Sequence, residues 1–144
     1  SLHDALPIWQ CRESDMRRKA LIDKVADVNG SPWLLDLKTT SNARAYDFTK
    51  SSIDFGYHIQ SAWYQDGAAE VITSGDRQPF VFIAVGKTLP ICVRCYILDE
   101  SAVQLGRDKA LSGLLDLKRR QAANDWSEEG ESKIECLSFP KWAY

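Results

Sequence analysis

Trp33-Leu34-Leu35-Asp36-Leu37-Lys38-Thr39-Thr40 is the stretch that decides how this chain folds. Its apolar opening reads as a buried strand, and a charged pair is delivered at the end of it. Asp36 and Lys38 are two residues apart, so on a strand both side chains leave the same face. Partial burial of that strand makes unpaired charges costly, which favours a metal ion or a substrate as partner. The bland alternative is a surface strand on which Asp36 and Lys38 simply form a salt bridge.

Outward from this run the chain alternates between β and α patterns. Arg17 to Val28 and Trp33 to Thr39 read as two strands of a hairpin, with Asn29-Gly30 supplying the turn and Pro32 closing it. Ser41 to Lys50 is polar and reads as a loop with a short helix. From Ile53 to Ser74, Phe55, Ile59, Ala62, Trp63, Ala69 and Val71 recur at roughly helical intervals, and Gly75-Asp76 ends that helix. Pro79 to Val85 and Ile91 to Leu98 form a second strand pair around Gly86 to Pro90. Asp99 is an N-cap for a helix running to about Ala123, and Ile134 to Leu137 reads as a last short strand. The fold class expected is α/β, with a mixed central β-sheet flanked by helices.

These elements gather a site. Asp23 falls on the strand next to Asp36, where the two carboxylates can converge on one divalent cation. Mg²⁺ takes oxygen ligands and usually one or two carboxylates, leaving room for water and a substrate phosphate. Such a cation acidifies water and stabilises charge developing on phosphorus. Lys38, a compact and fully charged donor, would orient that water or neutralise the charge. Gln60 and Tyr64 are four apart on the following helix and share a face, with Tyr57 one turn earlier. They can hydrogen-bond phosphate oxygens, or they are ordinary polar residues at the sheet boundary.

Composition limits what this site can serve. The 144 residues fit one domain, and 44% hydrophobic with 26% charged residues and five Trp belong to a folded protein rather than a disordered one. No apolar run approaches the roughly 20 residues of a membrane span. A net charge of -2 argues mildly against a surface that grips nucleic acid everywhere, but not against a local basic groove. Arg12, Arg17, Arg18, Lys19 and Lys24 lie around Asp23 in the sequence, whereas many acids fall between Asp125 and Glu135.

Cys11, Cys92, Cys95 and Cys136 read as free thiols in a chain with no recognisable secretory signal. Cys92 and Cys95 form a CxxC, yet three residues apart on a strand they point to opposite faces and share a metal only across a kink. Ser1 to Ile8 is what translation of a common sequencing-library adaptor would give. On that reading residues 1–8 are an artefact, natural sequence begins near Trp9, and N-terminal helices of the domain at 9–144 are missing. The alternative is an ordinary N-terminal loop.

Lys19-Ala20-Leu21-Ile22-Asp23, Leu35-Asp36-Leu37-Lys38-Thr39-Thr40 and Tyr57-His58-Ile59-Gln60-Ser61-Ala62-Trp63-Tyr64 together resemble the PD-(D/E)xK nuclease superfamily. Within it the chain is similar to the exodeoxyribonuclease VIII (RecE-type) phage recombination exonucleases, relatives of the RecB nuclease domain. The likeness continues through Phe80 to Val85, Leu98-Asp99, Gly106-Arg107 and Pro140-Lys141-Trp142. It implies a restriction-endonuclease-like core in which Asp23, Asp36 and the backbone carbonyl of Leu37 bind Mg²⁺, with Mn²⁺ as a substitute. Lys38 is then the catalytic lysine, and Gln60 and Tyr64 form the motif of the RecB-like branch. The resemblance further implies 5′-to-3′ digestion of linear double-stranded DNA from its ends, a single-strand annealing partner protein, a homo-oligomeric ring, and the cytoplasm of a bacterial or phage-infected cell.

Two departures stand out. The family often has Arg-Pro before its first aspartate, where this chain has Leu21-Ile22, so a DNA-facing cation would be lost or shifted to Arg18 or Lys19. An upstream acidic or histidine ligand has no safe match, since Glu13 and Asp15 lie close to the first strand, and weak or no activity is expected of this chain alone. Three functions remain open: an exonuclease, a catalytically inactive DNA-binding or structural module on the same fold, and a site-specific endonuclease. Retention of Asp23, Asp36 and Lys38 together favours the first. The endonuclease would usually bring a recognition domain that this sequence lacks.

Overall fold

The computed structural model describes residues 8–127, 134 and 136–143. A four-stranded sheet in the order β3-β4-β5-β6 forms its centre, built from Lys24–Val28 (β3), Ser31–Thr40 (β4), Phe80–Gly86 (β5) and Val93–Tyr96 (β6). β3 and β4 are an antiparallel hairpin, β4 and β5 run parallel, and β5 and β6 are antiparallel, so the sheet is mixed. The parallel pair is joined by a crossover through two helices, Ala45–Asp54 (α1) and Tyr57–Val71 (α2). A third helix, α3, spans Glu100–Ala123 and packs chiefly on α2.

One face of the sheet supplies the core. Val25, Leu34, Phe80, Phe82 and Ala84 alternate inward along their strands and meet Phe48 of α1 and Ala68 of α2. Aromatic rings fill the space between the layers, with Phe48 against Tyr96 at 4.9 Å, Tyr57 against Phe82 at 5.3 Å and Tyr64 edge-on to Phe80 at 5.7 Å. On the opposite face Leu37 and Val93 are exposed.

Several elements depart from the sequence expectations. Arg17 to Val28 is not one strand. Arg17–Lys19 (β2) pairs with Ile8–Gln10 (β1) in a separate two-stranded sheet, and β3 begins only at Lys24. The chain changes sheets at Ala20 to Asp23 because Trp9 and Trp63 pack edge to face at 5.8 Å, tying the first hairpin to α2. Asp23 therefore lies in the bend before β3 rather than on a strand. Pro32 does not close the turn but lies within β4, opposite Asp27.

Ile53 to Ser74 is likewise not one helix. α1 reaches Asp54, and Gly56 interrupts with φ +67°, a conformation glycine adopts without steric cost. α3 follows its expectation closely: Asp99 caps it, accepting a hydrogen bond from the Ala102 amide at 2.8 Å. Ile134, Cys136 and Leu137 form no strand, while Glu135 and residues 1–7 lie outside the described residues. No helix among the described residues is long and apolar enough to cross a membrane.

Candidate active site

β4 outruns its hairpin partner, and that mismatch creates the site. β3 pairs with β4 only as far as Leu35, whereas β5 follows β4 to Thr40. From Asp36 onward one edge of β4 is therefore free of strand β3. Leu34 N–H donates towards the β5 side, to Pro79 O, and Thr40 O accepts from Lys87 N on that side. By alternation the Leu37 N–H and C=O face the open edge. Asp23 occupies that edge: its Oδ2 accepts the Leu37 N–H at 3.2 Å. The bend before β3 thus brings Asp23 to the backbone of the residue that follows Asp36.

Asp36 projects from the core face and is only 3% exposed. A carboxylate buried to this degree requires compensation. Gln60, reaching down from α2, donates from Nε2 to Oδ1 at 2.6 Å, and Lys38 Nζ lies 2.7 Å from Oδ2. The lysine contact is an ion pair without hydrogen-bond alignment, so Oδ2 is a buried oxygen that accepts no aligned hydrogen bond. Lys38 Nζ also lies 4.9 Å above the Tyr57 ring, which fixes the ammonium between a carboxylate and an aromatic face.

Asp23, Asp36, Leu37, Lys38 and Gln60 are accordingly brought together, and Tyr57 joins them through the face of its ring. The ring of Tyr64 packs on Phe80 and the core cluster, one turn beyond Gln60. The expected shift of a DNA-facing cation to Arg18 does not occur. Arg18 is buried, donates to Cys11 Sγ at 2.7 Å and lies 4.7 Å over the Trp63 ring. Arg12 pairs with Glu70 at 3.4 Å rather than turning to Asp23. Cys11, Cys92, Cys95 and Cys136 are free.

The donors present suit a hard divalent cation. Two carboxylates and a backbone carbonyl offer oxygen only, and the buried Asp36 Oδ2 has a lone pair to give. Among the described residues no group of three or more His, Cys, Asp or Glu side chains could hold a metal ion. Remaining coordination would therefore fall to water and substrate, an arrangement Mg²⁺ commonly adopts.

The mixed sheet flanked by helices defines an α/β protein with a restriction-endonuclease-like core. The same fold is found in a crystal structure of a protein from Eubacterium rectale provisionally assigned as an exonuclease. The TM-score is 0.61 at 18% sequence identity, covering 94% of this chain and 53% of that one. This chain thus spans about half the length of the solved structure it matches. Residues 8–138 match the model of the PDDEXK-like domain of unknown function (DUF3799), and the chain belongs to that family. No curated protein matches it.

Proposed function

We propose that this chain carries the centre of a Mg²⁺-dependent deoxyribonuclease that hydrolyses phosphodiester bonds at the ends of linear double-stranded DNA. The observation that carries this reading is the buried Asp36, held by Gln60 and Lys38 at the point where Asp23 meets the Leu37 backbone. Asp23, Asp36 and the Leu37 carbonyl would hold the cation. When bound, it supplies Lewis-acid stabilisation of charge on the phosphate and acidifies water.

The chain's own residues divide the remaining work. Gln60 fixes the rotamer of Asp36 through Oδ1 and leaves Oδ2 to Lys38. The Leu37 amide fixes Asp23. Lys38, one-fifth exposed, lies beside Asp36, where its ammonium can neutralise charge on a phosphate oxygen or orient the attacking water. The Tyr57 ring restricts the lysine's swing. The finer reading follows the resemblance: 5′-to-3′ polarity, Mn²⁺ as substitute, a single-strand annealing partner, a homo-oligomeric ring, and recombination in a phage-infected or bacterial cytoplasm.

A second reading, a DNA-binding or structural module that does not cut, draws on one observation: no third acidic side chain joins Asp23 and Asp36 among the described residues. Digestion of end-labelled linear duplex and of covalently closed circular duplex, with Mg²⁺ or with chelator, separates the two. The exonuclease reading expects Mg²⁺-dependent release from linear DNA alone, abolished by Asp36→Ala or Lys38→Ala. Undiminished digestion by both variants would overturn the site assignment.

A further inference from the structure

Most arginines among the described residues are neutralised within the fold: Arg12 by Glu70, Arg77 and Arg107 by Asp66, and Arg119 and Arg120 by Asp116. Arg17, Arg18, Arg44 and Arg94 form no ion pair among those residues, and of these Arg44 and Arg94 line one cavity of about 570 Å³. The cavity opens where the parallel strands β4 and β5 end, with Ser41, Asn42 and Thr88 also in its wall. Ligands of open α/β sheets bind outside the carboxyl ends of such strands.

Strand register ties this cavity to the active site. Lys38 is paired with Ala84, and Ala84 with Arg94, so the three lie in one cross-strand row on one face of the sheet. Strands are about 4.8 Å apart, which puts the Arg94 backbone about 10 Å from that of Lys38. Asp47, in the first turn of α1, is turned to Asn42 Nδ2 at 2.6 Å. Asn42 Oδ1 in turn accepts from the Arg44 amide at 3.0 Å, which fixes the start of the helix. Arg94 uses one of its five donors on Val93 O at 3.2 Å and keeps the rest.

We propose that this cavity binds a backbone phosphate of the DNA near the bond that is cut, with Arg44 and Arg94 as its cationic ligands. A guanidinium fork matches phosphate oxygens, and phosphate contacts set the register of a duplex without reading its sequence. The subsite would position the strand so that the scissile phosphate reaches Asp36 and Lys38. This inference rests on the nuclease reading given above.

The test is the salt dependence of duplex binding, measured by fluorescence anisotropy on end-labelled DNA. Each of Arg44→Ala and Arg94→Ala should lower the slope of log K against log salt by about 1, and the double variant by about 2. Arg94→Lys, which keeps the charge, should retain the slope. Arg119→Ala, whose guanidinium already pairs with Asp116, serves as the control and should also retain it. A wild-type slope in the double variant overturns the subsite while leaving the nuclease reading intact, and a cavity that takes only free phosphate would give that result. No duplex binding by the wild-type chain, together with cleavage unaffected by Lys38→Ala, overturns the nuclease reading as well.

Discussion

At the scale of single residues the site is a problem of one buried carboxylate. Asp36 is acceptable at 3% exposure because Gln60 and Lys38 each take one of its oxygens. Removing either partner leaves a buried acceptor short of compensation, which costs about 1–3 kcal/mol and more when the group is charged. Gln60→Ala should therefore lower the urea midpoint with an unchanged m-value, corresponding to about 2 kcal/mol. A change below about 0.5 kcal/mol, the range of ordinary surface substitutions, would show that Gln60 does not support Asp36. Asp36 and Lys38 were legible in the sequence because period-two alternation is local. The packing of the Tyr64 ring on Phe80 was not, since four-residue spacing fixes a shared helix stripe but not which part of it meets the sheet.

At the scale of elements, single residues decide how α3 crosses α2 and how it begins. Gly106 on α3 lies so close to α2 that a Cβ added there would overlap the backbone carbonyl of His58. Gly106→Ala should force the helices apart and destabilise the protein by about 1–3 kcal/mol, since backbone cannot rotate out of the way as a side chain can. Wild-type thermal stability in that variant would contradict the close crossing. The Asp99 cap gives a pH dependence of known sign. Hydrogen bonds from Ser101 and the Ala102 amide hold its carboxyl below the ordinary value. A depressed folded-state value contributes stability above the unfolded value of about 3.9, and that contribution is lost as the pH falls through the folded value. The melting-temperature difference between wild type and Asp99→Ala should thus be full at pH 7 and shrink on acidification below about pH 4. A difference that widens in acid would contradict this. The α3 cap could be read from sequence because it depends on neighbouring residues. The split of Arg17 to Val28 could not, because it follows from Trp9 packing against Trp63, more than fifty positions away along the chain.

At the scale of the whole molecule, the proposed function depends on where the sheet opens. Mixed pairing leaves β4 covered by β5 along its far half and open on the β3 side. Asp23 meets the Leu37 amide at that opening, and beside it the α2 layer brings Gln60 to Asp36 and Tyr57 to Lys38. The same parallel pairing carries the Lys38 row across to Arg94, a relation with no signature in sequence because register between distant strands is set by the folded crossover. A divalent cation held at this opening is the central claim, and Mn²⁺ titration followed by electron paramagnetic resonance tests it on this chain without requiring turnover. The wild type should bind Mn²⁺, which excess Mg²⁺ displaces, with binding weakened by Asp23→Asn and lost in Asp36→Asn. Equal Mn²⁺ binding by the wild type and Asp36→Asn would contradict it.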